Sequence, residues 1–322
     1  MSLAQAGKTV TMLAGGVGGA KLAQGFARLL PDPRLQIIVN TADDFHLYGL
    51  AISPDIDTVT YTLAGMANPV QGWGIADDTR HTLDAIARLG GESWFLLGDR
   101  DFATHILRTQ RLQRGDALSR ITGDFAHALG IGPRILPMTD QPVATVLETP
   151  EGSLEFQDYF VARRQADDVL GVRFAGIESA TPAPGVLDAL VQADIVVIAP
   201  SNPIVSVGPI LAVPGVRDAL ASANGVRIAV SPIVGGKALK GPADRMLATL
   251  GHEVSALGVA RIYAGLIDVL AIDTVDADQA PSIEALGIRT IVTNTIMGGP
   301  EDRERLAAEV LDRVLDGVGM RS

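Results

Sequence analysis

The stretch that decides the fold reads TVTMLAGGVGGAK and covers residues 9–21. Residues Thr9–Ala14 are apolar enough for a buried β-strand, and a run of glycines follows them at once. Apolar residues at Leu22, Phe26 and Leu30 then recur with helical spacing. A strand, a glycine turn and an amphipathic helix in this order predict the start of a doubly wound sheet.

The alternation of strands and helices continues along the chain. The apolar pattern predicts further strands at residues 35–40, 93–97, 194–199, 227–230, 266–272 and 289–292, with helices near 243–250 and 301–314. Such alternation favours a mainly parallel sheet that is covered on both faces. We therefore predict an α/β fold with a doubly wound, mainly parallel Rossmann-like sheet.

The middle of the chain has a different pattern. Val143–Thr149 and Ser153–Tyr159 flank the turn residues Pro150-Glu151-Gly152, which is typical of an antiparallel hairpin. We expect residues 134–178 to form a smaller inserted lobe, and residues 1–133 and 179–322 to form the Rossmann-like core.

Composition excludes several classes of protein. The 322 residues include 26 Lys plus Arg and 37 Asp plus Glu, a net charge of −11, and no cysteine. Without cysteine there is no disulfide framework, no thiolate metal site and no cysteine nucleophile. The acidic balance argues against nucleic acid or an anionic membrane as a partner. With no signal-peptide pattern and no apolar run of about 20 residues, we expect a soluble, cytoplasmic protein.

The glycine run after the first predicted strand is suited to a phosphate group. Gly15, Gly16 and Gly18 allow backbone N–H groups to approach an anion at the start of a helix. Lys21 occupies the position where a dinucleotide fingerprint has its third glycine, and no Ser or Thr follows it as in a P-loop. A tight turn without a ligand is the alternative interpretation.

Four carboxylates follow the second predicted strand, at Asp43, Asp44, Asp55 and Asp57. Loops at this edge of an open α/β sheet bind ligands. Carboxylate oxygens suit Mg²⁺, which usually takes one or two protein carboxylates together with substrate phosphates. The alternatives are that Asp57 is the N-cap of a helix beginning at Thr58 and that Asp55 is a turn residue.

Two further loops carry groups that suit a planar or anionic ligand. Trp73, between two glycines, is suited to stacking on a planar ligand, or else anchors its loop on the core. After the strand predicted at 93–97, Arg100 is suited to clamp an anion and Asp99 to accept a hydroxyl proton. Asp101 is expected to be the N-cap of the next helix, and His105 lies four residues into it.

Loops in the second half of the chain add small polar groups. Asn202 is suited to read the edge of a base, and the hydroxyls of Ser201 and Ser206 with Lys237 are suited to hold phosphate. Because proline-rich dipeptides are common turn formers, plain turns are the alternative for these loops as well.

Seven of these stretches recur together, in this order, in a known family. The combination resembles 2-phospho-L-lactate transferase of the CofD type and extends over nearly the whole chain. The stretches are Gly15–Lys21, Asn40–Asp44, Ser53–Thr58, Gly72–Gly74, Leu97–Asp101 with Ala103–His105, Pro200–Pro203 and Ser231–Gly235.

The resemblance implies a reaction and a set of ligands. In that family, the ribityl hydroxyl of the deazaflavin Fo attacks the phosphorus of a guanosine diphosphate ester of a phospho-three-carbon acid. GMP leaves, and the product is the precursor of coenzyme F(420). The resemblance also implies Mg²⁺ and a homodimer. The Rossmann-like core would then bind both nucleotide and deazaflavin.

Roles for individual residues follow from the same resemblance. We assign catalysis to Asp57 and Asp43, and the metal to Asp43, Asp44 and Asp55. The Fo-binding residues would be Asp57, Arg100, Asp99, Trp73 and His105. The nucleotide-binding residues would be Gly15, Gly16, Gly18, Lys21, Ser201, Asn202, Ser206, Ser231, Gly235 and Lys237.

Two other functions remain open at this point. An NAD(P)-binding oxidoreductase would explain the glycine run, with Asp43 or Asp44 on the ribose, but the missing third glycine counts against it. A related regulator that binds nucleotide sugars would share the glycine run, although it would not need the loops at 72–74 and 97–101. The transferred acid is also open, because 2-phospholactate, phosphoenolpyruvate and 3-phosphoglycerate all fit the pattern.

Overall fold

The structure is a computed structural model that describes residues 7–30, 33–163 and 167–318. The strands are β1 (Val10–Ala14), β2 (Leu35–Val39), β3 (Phe45–Leu47), β4 (Leu50–Ile52), β5 (Arg134–Pro137), β6 (Ala144–Thr149), β7 (Gly152–Glu155), β8 (Gly171–Ala175), β9 (Ile195–Ile198), β10 (Val226–Val230), β11 (Ile233–Val234), β12 (Lys237–Ala238), β13 (Val269–Asp273) and β14 (Arg289–Thr293). The α-helices are α1 (Gly16–Leu29), α2 (Pro54–Leu63), α3 (His81–Arg88), α4 (Asp99–Gln113), α5 (Leu118–Ala128), α6 (Val186–Gln192), α7 (Val207–Ala212), α8 (Val216–Ala221), α9 (Ala243–Thr249), α10 (Ala256–Ile262), α11 (Ala280–Glu284) and α12 (Pro300–Val318). In the part of the chain described, no helix is long and apolar enough to cross a membrane.

Within the described ranges, seven strands form one parallel sheet in the order β14-β13-β10-β9-β1-β2-β5. The chain first builds outward from β1 through β2 to β5, and then returns to build outward on the other side from β9. This is the doubly wound strand order with one extra strand at its edge, so the predicted fold class is confirmed. The direction reverses between β1 and β9, which is where such sheets bind ligands.

Burial on both faces explains why the central strands have almost uninterrupted apolar sequences. Met12 and Ala14 of β1 pack on one face with α1, α2 and α12, while Leu13 packs on the other face with α6, α7 and α10. Successive side chains of a strand point to opposite faces, and both faces of this sheet are covered.

The strand predicted at residues 93–97 is wrong. The segment forms no strand, and α4 begins directly after it at Asp99. Its aromatic residues Trp94 and Phe95 instead pack on Phe45 of the β3–β4 hairpin. The apolar run thus buries itself in a small cluster without a sheet partner. The loop with Asp99 and Arg100 therefore does not follow a strand of the central sheet.

The middle of the chain contains a second, antiparallel sheet in the order β7-β6-β8. It packs through Leu147 and Tyr159 on Val205 and Met246 of the core. Arg134–Pro137, which the sequence assigned to the inserted lobe, is strand β5 and pairs with β2 in the central sheet. We therefore propose that the lobe begins after Pro137, since the strand before it completes the core.

Helices α1 and α12 lie close together at Gly25. A Cβ added at Gly25 would overlap the carbonyl oxygen of Arg303. We expect Gly25→Ala to lower the free energy of unfolding by about 1–3 kcal/mol, because the backbone of α12 must move. Gly123→Ala is the matched control, since Gly123 lies in a helix with open space around it. It is expected to raise the free energy of unfolding by about 0.5–1 kcal/mol. Urea denaturation measures both, and similar shifts in the two variants would contradict this packing.

Candidate active site

The site lies at the carboxyl ends of β1, β2 and β9, where the direction of the sheet reverses. The hydroxyl of Ser201 accepts a hydrogen bond from the Gly15 N–H at 3.2 Å and donates one to the Gly15 carbonyl oxygen at 2.7 Å. Ser201 follows β9 and Gly15 follows β1, so this pair of bonds joins the two halves of the sheet. The structure thus brings together two of the stretches singled out in the sequence.

The glycine turn is crowded on both sides. A Cβ at Gly15 would lie 2.7 Å from Asp55 Oδ2 and 2.7 Å from the Cβ of Ser206, and one at Gly18 would overlap the Pro200 carbonyl oxygen. Gly16 has a φ of +62° and donates its N–H to Asp55 Oδ1 at 2.7 Å. The glycines are therefore required by close approach of neighbouring groups. The next amides of the first turn of α1 lack partners inside the helix, and such amides are suited to bind an anion.

Asp43 and Asp55 converge on one amide. The Nδ2 of Asn40 donates to Asp43 Oδ2 at 3.1 Å and to Asp55 Oδ2 at 3.0 Å. Both carboxyl groups are buried. Burial raises the pKa of Asp55 to about 6. Burial, and then the negative charge of Asp55, raise the pKa of Asp43 well above its ordinary value. Ionising both carboxyl groups is therefore unfavourable, and a bound cation would stabilise the ionised pair.

Asp44 turns away from this pair. Its Oδ2 accepts a hydrogen bond from the Ser53 hydroxyl at 2.6 Å, and burial raises the pKa of Asp44 well above its ordinary value. Among the described residues, Asp43 Oδ1 and Asp44 Oδ1 are buried without a hydrogen-bond partner. Carboxylate oxygens of this kind suit a hard divalent cation such as Mg²⁺. Among the described residues, however, Asp43, Asp44 and Asp55 do not converge closely enough to form a three-ligand metal cluster.

Asp57 belongs to a different part of the site. The interpretation of Asp57 as a helix N-cap is wrong, because α2 begins at Pro54 with Ser53 at the cap. Asp55 lies in the first turn of helix α2, so the interpretation of Asp55 as a residue of a loop turn is wrong as well. The guanidinium of the buried Arg108 grips both carboxylate oxygens of Asp57, with Nη1 at 3.1 Å from Oδ2. Burial alone would lower the pKa of Arg108, but the charge of Asp57 raises it above its ordinary value.

His105 lies between two carboxylates. Its Nδ1 is 3.7 Å from Asp57 Oδ2, and its Nε2 is 3.3 Å from Asp101 Oδ1, which also accepts a hydrogen bond from the Tyr61 hydroxyl at 2.6 Å. The expected N-cap role of Asp101 is wrong, because the N-cap of α4 is Gly98. Asp57, Asp101 and His105 form the one metal-type cluster found in the described residues. The guanidinium of Arg108, which pairs with Asp57, already provides a positive charge beside these carboxylates.

Sequence reasoning missed Arg108 and Tyr61. The spacing did contain a signal, because Asp101, His105 and Arg108 recur at i, i+4 and i+7 and so share one face of α4. Charged residues on an inward-facing stripe indicate a buried network.

Asp99 and Arg100 are engaged in local capping. The carboxylate of Asp99 accepts hydrogen bonds from the Thr79 hydroxyl and from the N–H groups of His81 and Thr82, at 2.5, 3.1 and 2.9 Å. The bond from Thr79, followed by those from Thr82, lowers the pKa of Asp99. Asp78 in turn accepts the Arg100 N–H at 3.0 Å. Asp99 of α4 thus caps the start of α3, and Asp78, from the loop before α3, caps the start of α4. The Fo-binding roles of Asp99 and Arg100 stay predictions.

Trp73 lies beside the glycine turn. Its neighbour Gly72 has a φ of +81°, and a Cβ there would lie 2.6 Å from Val17 Cγ1. Trp73 is 37% exposed to solvent. An exposed aromatic ring on a loop held against α1 is compatible with stacking on a planar ligand.

The remaining predicted residues lie at the same edge of the sheet, mostly in local hydrogen bonds. Asn202 Oδ1 accepts the Ile204 N–H at 2.9 Å. Ser231 bonds the backbone of Ile233. The Gly235 N–H donates to Asp276, a buried residue that sequence reasoning missed, at 3.0 Å. Lys237 is exposed on the β11–β12 hairpin. These contacts shape the loops that follow β9 and β10.

The chain is similar to proteins of one family over most of its length. A family model described as 2-phospho-L-lactate transferase CofD matches residues 10–295. A phosphoenolpyruvate transferase from Streptomyces griseus is 44% identical over 309 residues, which cover 94% of this chain and 97% of the relative. A 2-phospho-L-lactate transferase from Methanosarcina acetivorans is 41% identical over 300 residues, which cover 93% of this chain and 97% of the relative.

A solved structure supports the fold. A protein of the UPF0052 family from Bacillus halodurans superposes with a TM-score of 0.62 and covers 96% of this chain and 99% of its own. Its sequence is only 16% identical, so the likeness concerns the fold alone.

The buried ion pair of Arg108 and Asp57 can be tested by unfolding. We expect Arg108→Met to lower the free energy of unfolding by about 3–5 kcal/mol, because it leaves Asp57 buried without its cation. Arg261→Met is the control, since Arg261 forms an ion pair with Glu253 while 55% of its side chain is exposed. There a loss of about 0–1 kcal/mol is expected. If urea denaturation gave equal losses for the two variants, the stabilising role of the buried pair would be refuted.

Proposed function

The chain belongs to the 2-phospho-L-lactate transferase CofD family and is a transferase, and from this premise we propose the reaction. We propose that it moves a phospho-three-carbon acid from its guanosine diphosphate ester to the ribityl hydroxyl of the deazaflavin Fo, with release of GMP. This step would serve coenzyme F(420) biosynthesis. The observation that carries the proposal is the buried pair Asp43–Asp55 directly beside the glycine turn, at the reversal point of the sheet.

The glycine turn and the loop after β9 would hold the nucleotide. The amides at the start of α1 meet the diphosphate, and Ser201 and Ser206 lie on the opposite side of Gly15. Asn202, Ser231, Gly235 and Lys237 line the loops that follow β9 and β10 and are proposed for the guanosine part. Lys21, one turn into α1, adds a positive charge.

The acidic pair would hold Mg²⁺ through Asp43 and Asp55, with Asp44 beside them. The ion, when bound, would neutralise charge on the diphosphate oxygens. The requirement for positive charge comes from this chain's own residues, since Asp43 and Asp55 repel each other and burial disfavours both ionised forms. A diphosphate would meet that repulsion as well.

Asp57 would orient the attacking hydroxyl, and Asp43 would accept its proton. Arg108 fixes both oxygens of Asp57, so Asp57 is suited to accept a hydrogen bond from the ribityl chain and to orient it. Burial and the charge of Asp55 raise the pKa of Asp43 well above its ordinary value, so the Asp43 carboxylate is suited to take the proton. The oxygen of the hydroxyl then bonds to the phosphorus that carries the acid, and GMP leaves with the electron pair of the broken bond.

The family favours this transferase over the oxidoreductase and the nucleotide-sugar regulator that the sequence left open. The acid to test first is phosphoenolpyruvate, because the relative from Streptomyces griseus carries that name. A homodimer and a cytoplasmic location, which the resemblance and the composition imply, are proposed with the reaction.

The reaction is tested by supplying Fo with the guanosine diphosphate esters of the three acids, one at a time. We expect one of them to give GMP and the phosphodiester of Fo, detected by mass spectrometry. In Asp57→Asn, turnover is expected to fall by about 10²–10⁴-fold, because the hydroxyl is no longer oriented. The affinity for GDP should stay within about twofold, measured by calorimetry. A lost affinity for GDP would instead assign Asp57 to the nucleotide, and no product with any ester would refute the proposed reaction.

The metal is tested by thermal unfolding at two pH values. The folded pKa of Asp55 is about 6 and its ordinary value is 3.8, so its favourable contribution to stability is present below pH 4 and is lost as the pH rises through 6. At pH 7.5 the metal-free protein is therefore destabilised by the ionised Asp55. Mg²⁺ at about 100 times its Kd should raise the free energy of unfolding by about 2.7 kcal/mol. At pH 5 the gain should be much smaller, because protons compete with the metal.

The matched control for the metal is Asp55→Asn, which keeps the size of the side chain and removes its charge. In this variant, Mg²⁺ is expected to leave the melting temperature at pH 7.5 unchanged. A rise equal to that of the parent protein would place the cation elsewhere.

A further inference from the structure

Three cations lie along α1, starting beside Val17 in its first turn. We call Lys21, Lys240 and Arg303 the cationic row. Lys240 and Arg303 lie far apart in sequence and belong to none of the stretches that the family resemblance rests on. The three are brought together only by the fold.

The row begins at the first turn of α1. The ammonium of Lys240 donates to the Gln71 carbonyl oxygen at 2.9 Å. A Cβ at Gly72 would lie 3.4 Å from Lys240 Nζ and 2.6 Å from Val17 Cγ1, so the ammonium lies close to the glycine turn. Lys21 is four residues after Val17 and hence on the same face of the helix.

The row continues along the helix towards α12. The Nζ of Lys21 donates to the Met297 carbonyl oxygen at 3.0 Å. The guanidinium of Arg303 donates to the side chain of Gln24, one turn beyond Lys21, while its Nε is buried without a hydrogen-bond partner in the described structure. Burial, and then the charges of Arg303 and Lys240, lower the pKa of Lys21. Lys21 is therefore close enough to both Arg303 and Lys240 to be repelled by their charges.

Among the described residues, none of the three cations forms an ion pair with a carboxylate, although acids outnumber bases in this chain by 37 to 26. Several arginines elsewhere form ion pairs with carboxylates, among them Arg108, Arg227 and Arg261. Each ammonium of the row uses one donor on a backbone carbonyl and keeps two more. Repelling cations with spare donors are stabilised when an anion binds between them.

We propose that the cationic row binds the carboxylate of the transferred three-carbon acid; this rests on the proposed function. The diphosphate of the donor has its own partners in the amides at the start of α1, on the side of Asp43 and Asp55. A substrate carboxylate on that side would be repelled by two buried carboxyl groups. Beside Val17 in the same helical turn, Lys240 and, four residues further on, Lys21 supply the charge that it needs.

The cationic row would therefore orient the donor through the negative charge of its carboxylate. 2-Phospholactate, phosphoenolpyruvate and 3-phosphoglycerate all carry a carboxylate close to the phosphate ester, and the row reads that charge rather than the carbon skeleton. The acid is thereby turned away from the carboxylates that would handle the attacking hydroxyl.

The test compares two donor analogues that differ in one group, the lactyl ester of GDP and its carboxamide. In the parent protein, we expect calorimetry to give a Kd about tenfold higher for the carboxamide, because one charge-assisted hydrogen bond is lost. In Lys240→Met and in Arg303→Met, the acid should bind about tenfold more weakly than in the parent, and the acid and the carboxamide should bind almost equally. GDP should bind each variant within about twofold of the parent.

Arg217→Met is the control for charge, since Arg217 is an exposed arginine of α8, outside the proposed site. It should retain the tenfold preference for the acid. An equal loss of GDP and of the lactyl ester in Lys240→Met would assign the row to the diphosphate and overturn the proposal, as would a full preference for the acid in that variant. If the parent protein binds neither GDP nor the ester, the proposed function itself fails, and that result is distinct from both.

Discussion

The carboxylate of Asp55 is the contact on which the rest of the site depends. It accepts the Gly16 N–H at 2.7 Å and the Asn40 amide at 3.0 Å, and so joins the start of α1, the end of β2 and the start of α2. Its Oδ2 also occupies the space where a side chain at Gly15 would begin. The glycine run is therefore explained by the approach of a carboxylate and of the Pro200 backbone, and no dinucleotide fingerprint is needed to account for it.

The charged groups around Asp55 fall into three sets that differ in whether their charge is balanced within the protein. The charge of Asp57 is balanced inside the protein, because the buried Arg108 grips both of its oxygens. The pair Asp43–Asp55 is a concentration of buried negative charge, and the cationic row along α1 is a concentration of positive charge. In the proposed reaction, a metal ion would balance the first and the carboxylate of the donor would balance the second. The net charge of −11 conceals this local arrangement.

The sequence predicts the sheet and much of the acidic site, for a physical reason in each case. Buried parallel strands such as β1 and β9 are short apolar runs, and polar residues after neighbouring strands must meet at one edge, which brings Asp43 and Ser201 to the glycine turn. Asp55 reaches this edge from the first turn of α2. The run at 93–97 misled because aromatic residues also bury in a small cluster on a hairpin. Lys240 and Arg303 could not be assigned from local patterns, because their neighbours are set by helix packing and by loops distant in sequence.

The sorting of charge also bears on the acceptor. A diphosphate next to Asp43 and Asp55 requires a cation, and a carboxylate requires the cationic row, but the ribityl chain of a deazaflavin is uncharged and requires neither. What it does need is an apolar surface for its rings and a fixed acceptor for its hydroxyl. Trp73 lies beside the glycine turn with an open face, and Asp57 is held by Arg108 on the acidic side. The uncharged ribityl chain of the proposed acceptor can therefore approach the acidic side without the repulsion that the proposed donor would have to overcome. This favours one cleft in which each substrate has its own electrostatic environment.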